Sequence, residues 1–500
     1  MKFPSVFLCL ALFSLPAQAE ADVEWPAIPL LEIVTQDSVW PTCTTVHAPE
    51  GCLGTSITDN EYVPGRMVIT LCGDTLYDSG EYIKGESGMR IKRRGNSSGA
   101  STGQHPYKLK LSKKADLLMR GDKDYRHKEW VLLRMIVWQP KLIYLQSSLL
   151  HAAGTIVSRA VEKEWTQDWD FVNVVLNGEY QGMYCLMEPA SKGKKRIDID
   201  DTGFIIEHDP FWWNEDGHYF KTDRQNSAYG YTYKYPDKDD VTDSIQNGIR
   251  DYMNEFETAL YEGGDISKYI DMESFAKWIL AHDILGSDDK VGCNKILYKH
   301  DLIDGNTFAS KLCMGPLWDF DSCFRGDDTK WSSLHDMYEF YYHELFKRDD
   351  FVKTYVRLWE KIRPTLISFY NRSLDELNAH YKAVYDESIN LHLEKHFEYE
   401  RYVSLMAQIV ELKMKFSARI KTLDSLIRGL ASDENYIIGI SNDDTTHQND
   451  RIYNINGMQY PNRNKATKGL YIYRDANGVA RKRVFAAQPT NPVGKGVDGC

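Results

Sequence analysis

Short runs of alternating apolar and polar residues fill the first part of the chain. From "PLLEIV" to "YIKGES", β-type runs such as "RMVITLCG" are separated by Gly, Pro and Asp, and the pattern continues through "MRIKRR" and "PYKLKL". Alternation with a period of two predicts half-buried strands. We therefore expect the N-terminal part of the protein to be built on β-sheet.

The pattern then changes twice. Apolar residues at helical spacing in "KEWVLLRMIV" and "LIYLQSSLLHAAGTIVSRAV" predict helices on either side of Pro140. A pair of strands, "FVNVVLNGEY" and "GMYCLMEP", follows and is joined by Asn177 and Gly178, which is typical of a tight hairpin. The order of sheet, helix and sheet predicts an α+β fold.

Helical periodicity dominates the second half of the chain. It begins after "GFIIEHDP" with "DSIQNGIRDYMNEFETALYEG" and "SFAKWILAHDILG", and it is nearly unbroken from Asp349 to Leu430. Beyond residue 430 the residue pattern again predicts short strands, rich in Asn, Asp and Gly. We expect a β-rich first region, a mainly helical second region and a short β-rich tail.

Length and charge narrow the classes of function. A chain of 500 residues with 42% hydrophobic and 26% charged residues is globular and too long for a single small domain. Its formal net charge of -12 argues against a nucleic-acid partner, because such partners are bound by neutralising many phosphates.

The first residues, "MKFPSVFLCLALFSLPAQA", predict a secretory signal peptide cleaved after about Ala19. No later stretch is apolar for long enough to span a bilayer, so we expect an exported mature chain without a transmembrane segment. Cleavage would remove Cys9 and leave eight cysteines. Cys43 and Cys52 flank a turn-rich segment and are the expected local disulfide, while the other pairings stay open.

Two acidic stretches could carry chemistry. In "GSDDKVGCNKILYK", Asp289 precedes Asn294 by five positions, between an apolar helix and a strand-like run. In phosphoryl transfer such an Asp accepts the acceptor hydroxyl's proton, and such an Asn ligates Mg²⁺. A solvated acidic turn is the alternative for this stretch.

The second acidic stretch is "CMGPLWDFDSCF", where Asp319 and Asp321 flank Phe320. On an extended segment alternate residues point the same way, so both carboxylates would face one site while Phe320 packs inward. Two such carboxylates repel each other unless a cation or base lies between them, and Mg²⁺, which takes oxygen ligands, fits better than zinc. A solvated acidic turn is the alternative for this stretch too.

A glycine- and serine-rich run precedes a lysine-bearing strand. Gly95, Asn96, Ser97, Ser98 and Gly99 offer backbone N–H groups and hydroxyls with little bulk, which suits a loop around phosphates. Lys108 and Lys110 would project from one face of the following strand. The alternative is a solvent-exposed hairpin tip.

Taken in order, these stretches resemble a known family, the CotH kinases, which have an atypical protein-kinase fold. The resemblance rests on "IKRRGNSS" with "PYKLKL", "VVLNGEYQGMYCLMEP", "GFIIEHD", "DKVGCNKILYK" and "GPLWDFDSCF". It implies a two-lobed kinase-like domain over residues 80–435, after a signal peptide at 1–19 and a β-rich region at 20–79. The tail at 436–500 is similar to strand-rich ends of bacterial secreted and cell-surface proteins, which implies a sorting or surface-associated role.

The resemblance also implies roles for individual residues. Asp289 resembles the catalytic base. Lys110 resembles the nucleotide-phosphate lysine, with Lys108 as the competing choice and Glu188 as the ion-pair partner. Asn294, Asp319 and Asp321 resemble the metal ligands, and Gly95, Asn96, Ser97 and Ser98 resemble the loop that covers the phosphates.

The function implied is an exported protein kinase that uses ATP and Mg²⁺, or Mn²⁺, to phosphorylate a hydroxyl of an extracytoplasmic or cell-surface protein. Two alternatives stay open. One is a surface binding or structural protein that keeps the kinase fold without turnover, and the other is a metal-dependent phosphohydrolase that uses the Asp pair.

Overall fold

The computed structural model of the chain describes residues 25, 27–100, 103–135, 147–225, 228–289, 294–302, 310–325, 329–336, 340–396 and 404–437, together with four strands beyond them. The predicted signal peptide lies outside these residues, and so do Cys9, Cys293 and Cys500. Among the helices described, none combines the length and the apolar character needed to cross a bilayer.

Strands dominate the chain as far as residue 187, as the alternation predicts. They are β1 Leu30–Thr35, β2 Thr44–His47, β3 Thr55–Thr58, β4 Val63–Leu71, β5 Asp74–Asp78, β6 Met89–Arg93, β7 Tyr107–Ala115, β8 His127–Arg134, β9 Trp169–Leu176 and β10 Glu179–Met187. Two helices interrupt them, the single turn α1 Ser97–Ala100 and α2 Ser147–Ala160.

Seven of these strands close into a ring. Their order is β1-β9-β10-β8-β7-β6-β4, and β4 pairs back onto β1 in antiparallel register from Leu30↔Thr70 to Thr35↔Gly65. Strand β5 adds to the outside of β4, while β2 and β3 form a separate hairpin. The ring leaves only short edges unpaired, and its interior is an apolar core.

Alternate residues of each strand fill that core. Its fully buried members include Leu31, Ile33, Met67, Met89, Ile91, Leu109, Trp130, Leu132, Val174 and Leu186. The intervening residues of β6 and β7 face outward, and they are mostly lysine and arginine. The period-two pattern therefore separates an apolar interior from a basic outer face.

A second sheet follows in the chain. It consists of β11 Phe204–Asp209, β12 Tyr219–Phe220, β13 Gly230–Tyr235, β14 Lys295–Lys299 and β15 Cys313–Met314, in the order β12-β13-β11-β14-β15. Trp318 packs against the apolar cluster of this sheet and also against Val131, Leu133 and Met187 on the outside of the ring. One aromatic ring thus joins the two sheets directly before Asp319.

The remaining elements are helical. They are α3 Asp243–Tyr261, α4 Met272–Leu285, α5 Tyr342–Leu345, α6 Asp349–Tyr381, α7 Tyr385–His396 and α8 Leu405–Ile437. Short 3₁₀ turns cover Gln36–Ser38, Lys123–Tyr125, Trp212–Asn214, Lys238–Asp240, Ile266–Lys268 and Ser333–Asp336. The predicted α+β class is confirmed, although the closed ring was not foreseen.

Residues up to Leu423 form one compact unit, so the β-rich region predicted at 20–79 shares a single sheet with the strands that follow it. Residues from Asp424 onward form a second unit, which contains β16 Arg451–Asn454, β17 Gln459–Tyr460, β18 Gly469–Arg474 and β19 Ala480–Phe485. Their order is β17-β16-β18-β19, and all neighbours are antiparallel. The tail is β-rich, as its composition predicts.

The predicted β9–β10 hairpin is confirmed, whereas one predicted helix is wrong. Strands β9 and β10 are joined at Asn177 and Gly178, whose φ angles of 52° and 81° fit the predicted tight turn. The stretch "KEWVLLRMIV" was predicted to be a helix, yet its described part is strand β8. Because β8 is central and buried on both faces, its apolar residues run together and lose the alternation of an exposed strand.

The expected disulfide between Cys43 and Cys52 is wrong, because Cys43 is a free thiol. Cys43 lies at the open end of the β2–β3 hairpin and Cys52 lies in its connecting turn. Four extended residues separate these ends by about 13 Å. Bridged Cα atoms lie within about 7 Å of each other. The segment predicted to be a loop is therefore a strand that holds the two cysteines apart.

The close packing of α2 on Phe320 gives a prediction. A Cβ atom added at Gly154 would lie 2.2 Å from the ring of Phe320. We expect Gly154→Ala to lower the free energy of unfolding by about 1 to 3 kcal/mol, because the buried ring must shift. Gly429→Ala on α8 is the matched control, since its Cβ would meet open space. Thermal unfolding checks both variants, and equal midpoints would contradict the packing argument.

Candidate functional site

The two acidic stretches meet at the end of α4. The helix ends at Leu285, and Gly286 takes the left-handed conformation, with φ of 54°, that turns the chain toward Asp289. The Phe324 amide donates to the Leu285 carbonyl at 2.7 Å, and the Asp288 amide donates to the Ser322 carbonyl at 3.3 Å. Backbone hydrogen bonds therefore connect the Asp289 loop to the loop that carries Asp319 and Asp321.

Asp289 and Asn294 lie together, as their spacing predicts. The Asn294 Nδ2 donates to Asp289 Oδ2 at 3.1 Å. Asn294 is buried directly before β14, and Asp289 is half-buried. The hydrogen bond orients Asp289 and leaves the amide oxygen of Asn294 directed away from that carboxylate.

Asp319 and Asp321 also come together, but not on a strand. The expected extended segment is wrong, because Asp319 has a φ of 58° and a turn follows it. An Asp tolerates this left-handed conformation better than most residues. Phe320 does pack inward, as predicted: it is fully buried, and its ring meets His151 edge-on with centroids 5.8 Å apart.

The carboxylates repel one another. Asp319 is exposed to solvent, yet desolvation by the neighbouring protein raises its pKa well above the usual range, and the charges of Asp321 and Asp289 raise it further. Desolvation also raises the pKa of Asp321, and Asp289 adds to this effect although Arg325 opposes it. Three carboxyl groups thus share one electrostatic site.

The donor set suits a hard divalent cation. Asp289, Asn294, Asp319 and Asp321 supply only oxygen ligands, which Mg²⁺ prefers. In the part of the chain that the structure describes, no three acidic, His or Cys side chains converge tightly enough to hold a metal ion by themselves.

Two arginines outside the predicted site residues face this cluster. Arg94 directly follows β6 and Arg134 ends β8, and both strands run antiparallel to β7, so the two residues leave the ring at the same edge. The positive charges of Arg94 and Arg134 both act on Asp319. Arg94 stands in the quoted "KRRGNSS" stretch, whereas no signal in the sequence marked Arg134.

The glycine-serine loop is not an exposed hairpin tip. Its centre forms the turn α1, and it is half-buried except for Ser97, which is exposed, and Gly99, which is buried. The Ser56 hydroxyl, from β3, donates to Asn96 Oδ1 at 2.8 Å. Gly95 has a φ of 90°, which favours glycine. The loop is therefore held in place beside Arg94.

The predicted lysines project from the outer face of β7, but their partner is different from the expected one. Lys108 Nζ lies 3.1 Å from Glu129 Oε2, and Lys110 Nζ lies 3.5 Å from Glu129 Oε1. Burial lowers the pKa of Lys108, and Glu129 offsets part of that effect. Glu129 stands opposite Lys110 on the neighbouring strand β8.

Glu188 is not the partner of Lys110, so that expectation is corrected. Its Oε1 accepts from Arg120 Nη2 at 2.9 Å and lies 3.5 Å from Arg196 Nε. Strand β8 separates Glu188 from β7, which places the two strands about 10 Å apart. Glu188 is buried and compensates two guanidinium groups, so its role in the ring is structural.

A second charged layer lies on the five-stranded sheet. Lys234 Nζ lies 2.5 Å from Glu207 Oε2, and Asp209 accepts from Thr232 Oγ1 at 3.0 Å. Burial, followed by the charge of Glu207, raises the pKa of Asp209 to about 7. Lys234 acts electrostatically on Lys108, so this layer faces the lysine strand of the ring. In the sequence these residues stand out only as part of the "GFIIEHD" motif.

Comparison with known proteins agrees with this arrangement. The sequence model of one family, described as CotH kinase protein, matches residues 91–421. No curated protein matches the chain significantly. The matched region begins in β6, includes both carboxylate loops and the second sheet, and ends in α8. Because the match covers about two thirds of the chain, the protein belongs to the CotH kinase family.

Proposed function

We propose that this protein is an exported protein kinase, which transfers the γ-phosphate of ATP to a hydroxyl group of an extracytoplasmic or cell-surface protein. The observation that carries the proposal is the joining of the Asp289 and Asp319 loops at the end of α4. Family membership supports a kinase-type enzyme. In this proposal the closed ring and the helices after it act as the two lobes of a kinase-like fold.

Asp289 acts as the general base. The acceptor oxygen forms a bond to the γ-phosphorus, the bond between that phosphorus and the β–γ bridging oxygen breaks, and ADP leaves. The hydroxyl proton passes to Asp289, whose Oδ2 is already oriented by the Asn294 amide. Asp289 is half-buried, so part of its side chain is open to solvent.

Asn294 and Asp319 would hold the divalent cation, and Asp321 would ligate it or support Asp319. Mg²⁺, or Mn²⁺ in its place, would neutralise phosphate charge at these side chains. The raised pKa values of Asp319 and Asp321 fit this assignment, because a cation relieves their mutual repulsion.

The phosphates would be bound by positive groups from the ring. Arg94 and Arg134 are placed at the edge next to Asp319, and Arg guanidinium groups suit bidentate contacts to phosphate. Lys108 starts nearer that edge than Lys110 does, because β7 runs away from it. Lys108, paired with Glu129, is therefore our choice for the phosphate lysine, and the loop from Gly95 to Ser98 would cover the phosphates.

The exported location and the protein acceptor are proposals from the sequence. The exported location rests on the N-terminal segment 1–19 and on the resemblance of the tail to segments of secreted proteins, and the protein acceptor rests on membership of the CotH kinase family. The sorting or surface role of residues 436–500 is part of the same proposal.

The role of Asp289 gives the principal test. Asp289→Asn keeps the shape of the side chain but cannot accept the acceptor proton, so we expect phosphate transfer to fall by at least about 100-fold. Binding of ATP with Mg²⁺ should stay within about threefold of the wild type, because Asn294 and Asp319 are unchanged. Transfer is measured with γ-labelled ATP on casein-like acceptors and on the protein itself, and binding is measured by calorimetry.

Two outcomes of that experiment would contradict the proposal. Transfer at the wild-type rate by Asp289→Asn would remove Asp289 from the reaction. Nucleotide binding by a wild-type protein that phosphorylates no acceptor would favour a surface protein without turnover.

The repulsion between Asp319 and Asp321 gives a second prediction. Their pKa values are raised, so protons compete with Mg²⁺ for these carboxylates up to a higher pH than at an ordinary Asp. We expect Mg²⁺ binding to release protons and to strengthen as the pH rises. Calorimetric titration with MgCl₂ in two buffers of different ionisation enthalpy checks this, with Asp319→Asn as the control. A binding heat that is the same in both buffers would refute the assignment.

A further inference from the structure

A buried carboxylate outside the proposed catalytic set lies one turn before the Asp289 loop. Asp283, on the last turn of α4, is completely buried. Its Oδ1 accepts from the Ser332 hydroxyl at 2.6 Å and from the Ser332 amide at 3.2 Å. Its Oδ2 accepts from His335 Nε2 at 2.9 Å and from the Tyr355 hydroxyl at 2.7 Å. Four donors thus converge on one carboxylate.

The backbone of the same residue makes a further connection. The Asp283 carbonyl accepts from Arg419 Nε, on α8, at 2.7 Å. Arg419 Nη1 also donates to the carbonyl of Lys330. A buried guanidinium at the C-terminal end of a helix is electrostatically favourable, because the carbonyl groups there carry partial negative charge. Arg419 therefore ties the end of α4 to the segment around Lys330.

These contacts hold residues 330–335, which follow the Asp319–Asp321 loop in the chain. That loop is linked to the end of α4 by the Leu285–Phe324 and Asp288–Ser322 hydrogen bonds, and Phe324 has a left-handed φ of 58°. The chain then returns to α4 at residues 330–335, where Asp283 binds it. Asp283 and Leu285 thus attach this part of the chain to α4 at two separate points.

We propose that Asp283 is a positioning residue: by holding Ser332 and His335 against the end of α4, it keeps Asp289 aligned with Asp319 and Asp321. This proposal rests on the proposed kinase function. A carboxylate suits the role because it only accepts hydrogen bonds, and the Ser332 amide and the Ser332, His335 and Tyr355 side chains can each donate one. A directional polar cluster specifies one arrangement where an apolar contact would allow several.

The ionisation state of Asp283 is consistent with this arrangement. Burial raises its pKa, but the charge of His335 and the hydrogen bonds from His335, Ser332 and Tyr355 more than offset this, so the pKa lies below its usual value. Trp331 stacks on the His335 ring with centroids 4.8 Å apart, and the Phe346 ring centroid lies 4.7 Å from it. The segment therefore binds α4 through both polar and aromatic contacts.

The test variant is Asp283→Asn, with Asp170→Asn as the matched control. Asp170, on β9, also accepts hydrogen bonds, from the Phe171 amide and the Tyr381 hydroxyl, but it lies in the ring. We expect Asp283→Asn to lower kcat by about 10- to 100-fold, because small misplacements of reacting groups have effects of that size. The KM for ATP should change little. Asp170→Asn should leave kcat per folded molecule unchanged.

Hydrogen exchange provides a readout that does not require kinase activity. In Asp283→Asn we expect faster exchange at the amides of Asp288 and Phe324, which link the two loops, and unchanged exchange within the ring. His335→Ala should show a weaker form of the same effect, and His335→Gln should restore protection, because its amide can donate to Asp283. The comparison of His335→Ala with His335→Gln keeps the test valid if Asp283→Asn does not fold.

The outcomes separate the two proposals. Unchanged protection of both loops in Asp283→Asn and His335→Ala would overturn the positioning role, whatever the activity. Equal loss of kcat in Asp283→Asn and Asp170→Asn would also overturn it, because a general loss of stability would then explain both. If the wild type transfers no phosphate, the kinase proposal fails, and the exchange result alone decides whether Asp283 aligns the loops.

Discussion

The arrangement of the candidate site depends on the last turn of α4. This turn provides the Leu285 carbonyl that accepts from Phe324, and the chain leaving it provides the Asp288 amide that donates to Ser322. Together with the antiparallel pairing of β14 and β15, these hydrogen bonds bring two acidic loops about thirty residues apart in sequence into one site. Their carboxylates repel each other, so the backbone must hold them together against that repulsion. Such opposition between fold and electrostatics is expected where a cation or a reacting group binds.

The ring contributes the opposite charge. Because it is closed, its apolar residues point to an enclosed core, and the outward positions of β6 and β7 are left for lysine and arginine. The ends of β6 and β8 then place Arg94 and Arg134 beside the carboxylates. Trp318 fixes the relation between the ring and the second sheet immediately before Asp319. A single sheet thus supports both the folding core and the basic side of the site.

Much of this could be predicted from local sequence. The β9–β10 hairpin follows from Asn177 and Gly178, and the long helices follow from their apolar periodicity. The association of Asp289 with Asn294 follows from their spacing. Features set by distant partners could not be predicted. Strand β8 resembled a helix because it is buried on both faces, and the closure of β1 on β4 has no local signal. Glu188 was assigned to Lys110 although Arg120 and Arg196 lie closer. Cys43 and Cys52 are close in sequence, but strand β2 separates them in the structure.

The central claim is that the two acidic loops and the arginine edge of the ring form one site for ATP and a divalent cation. The most direct measurement is a crystal structure with Mn²⁺ and a non-hydrolysable ATP analogue, in which anomalous scattering locates the metal. The account predicts manganese bonded to Asn294 and Asp319, with phosphate oxygens contacting Arg94 and Arg134. Manganese or nucleotide bound elsewhere, with these four side chains making no contact to either, would contradict it.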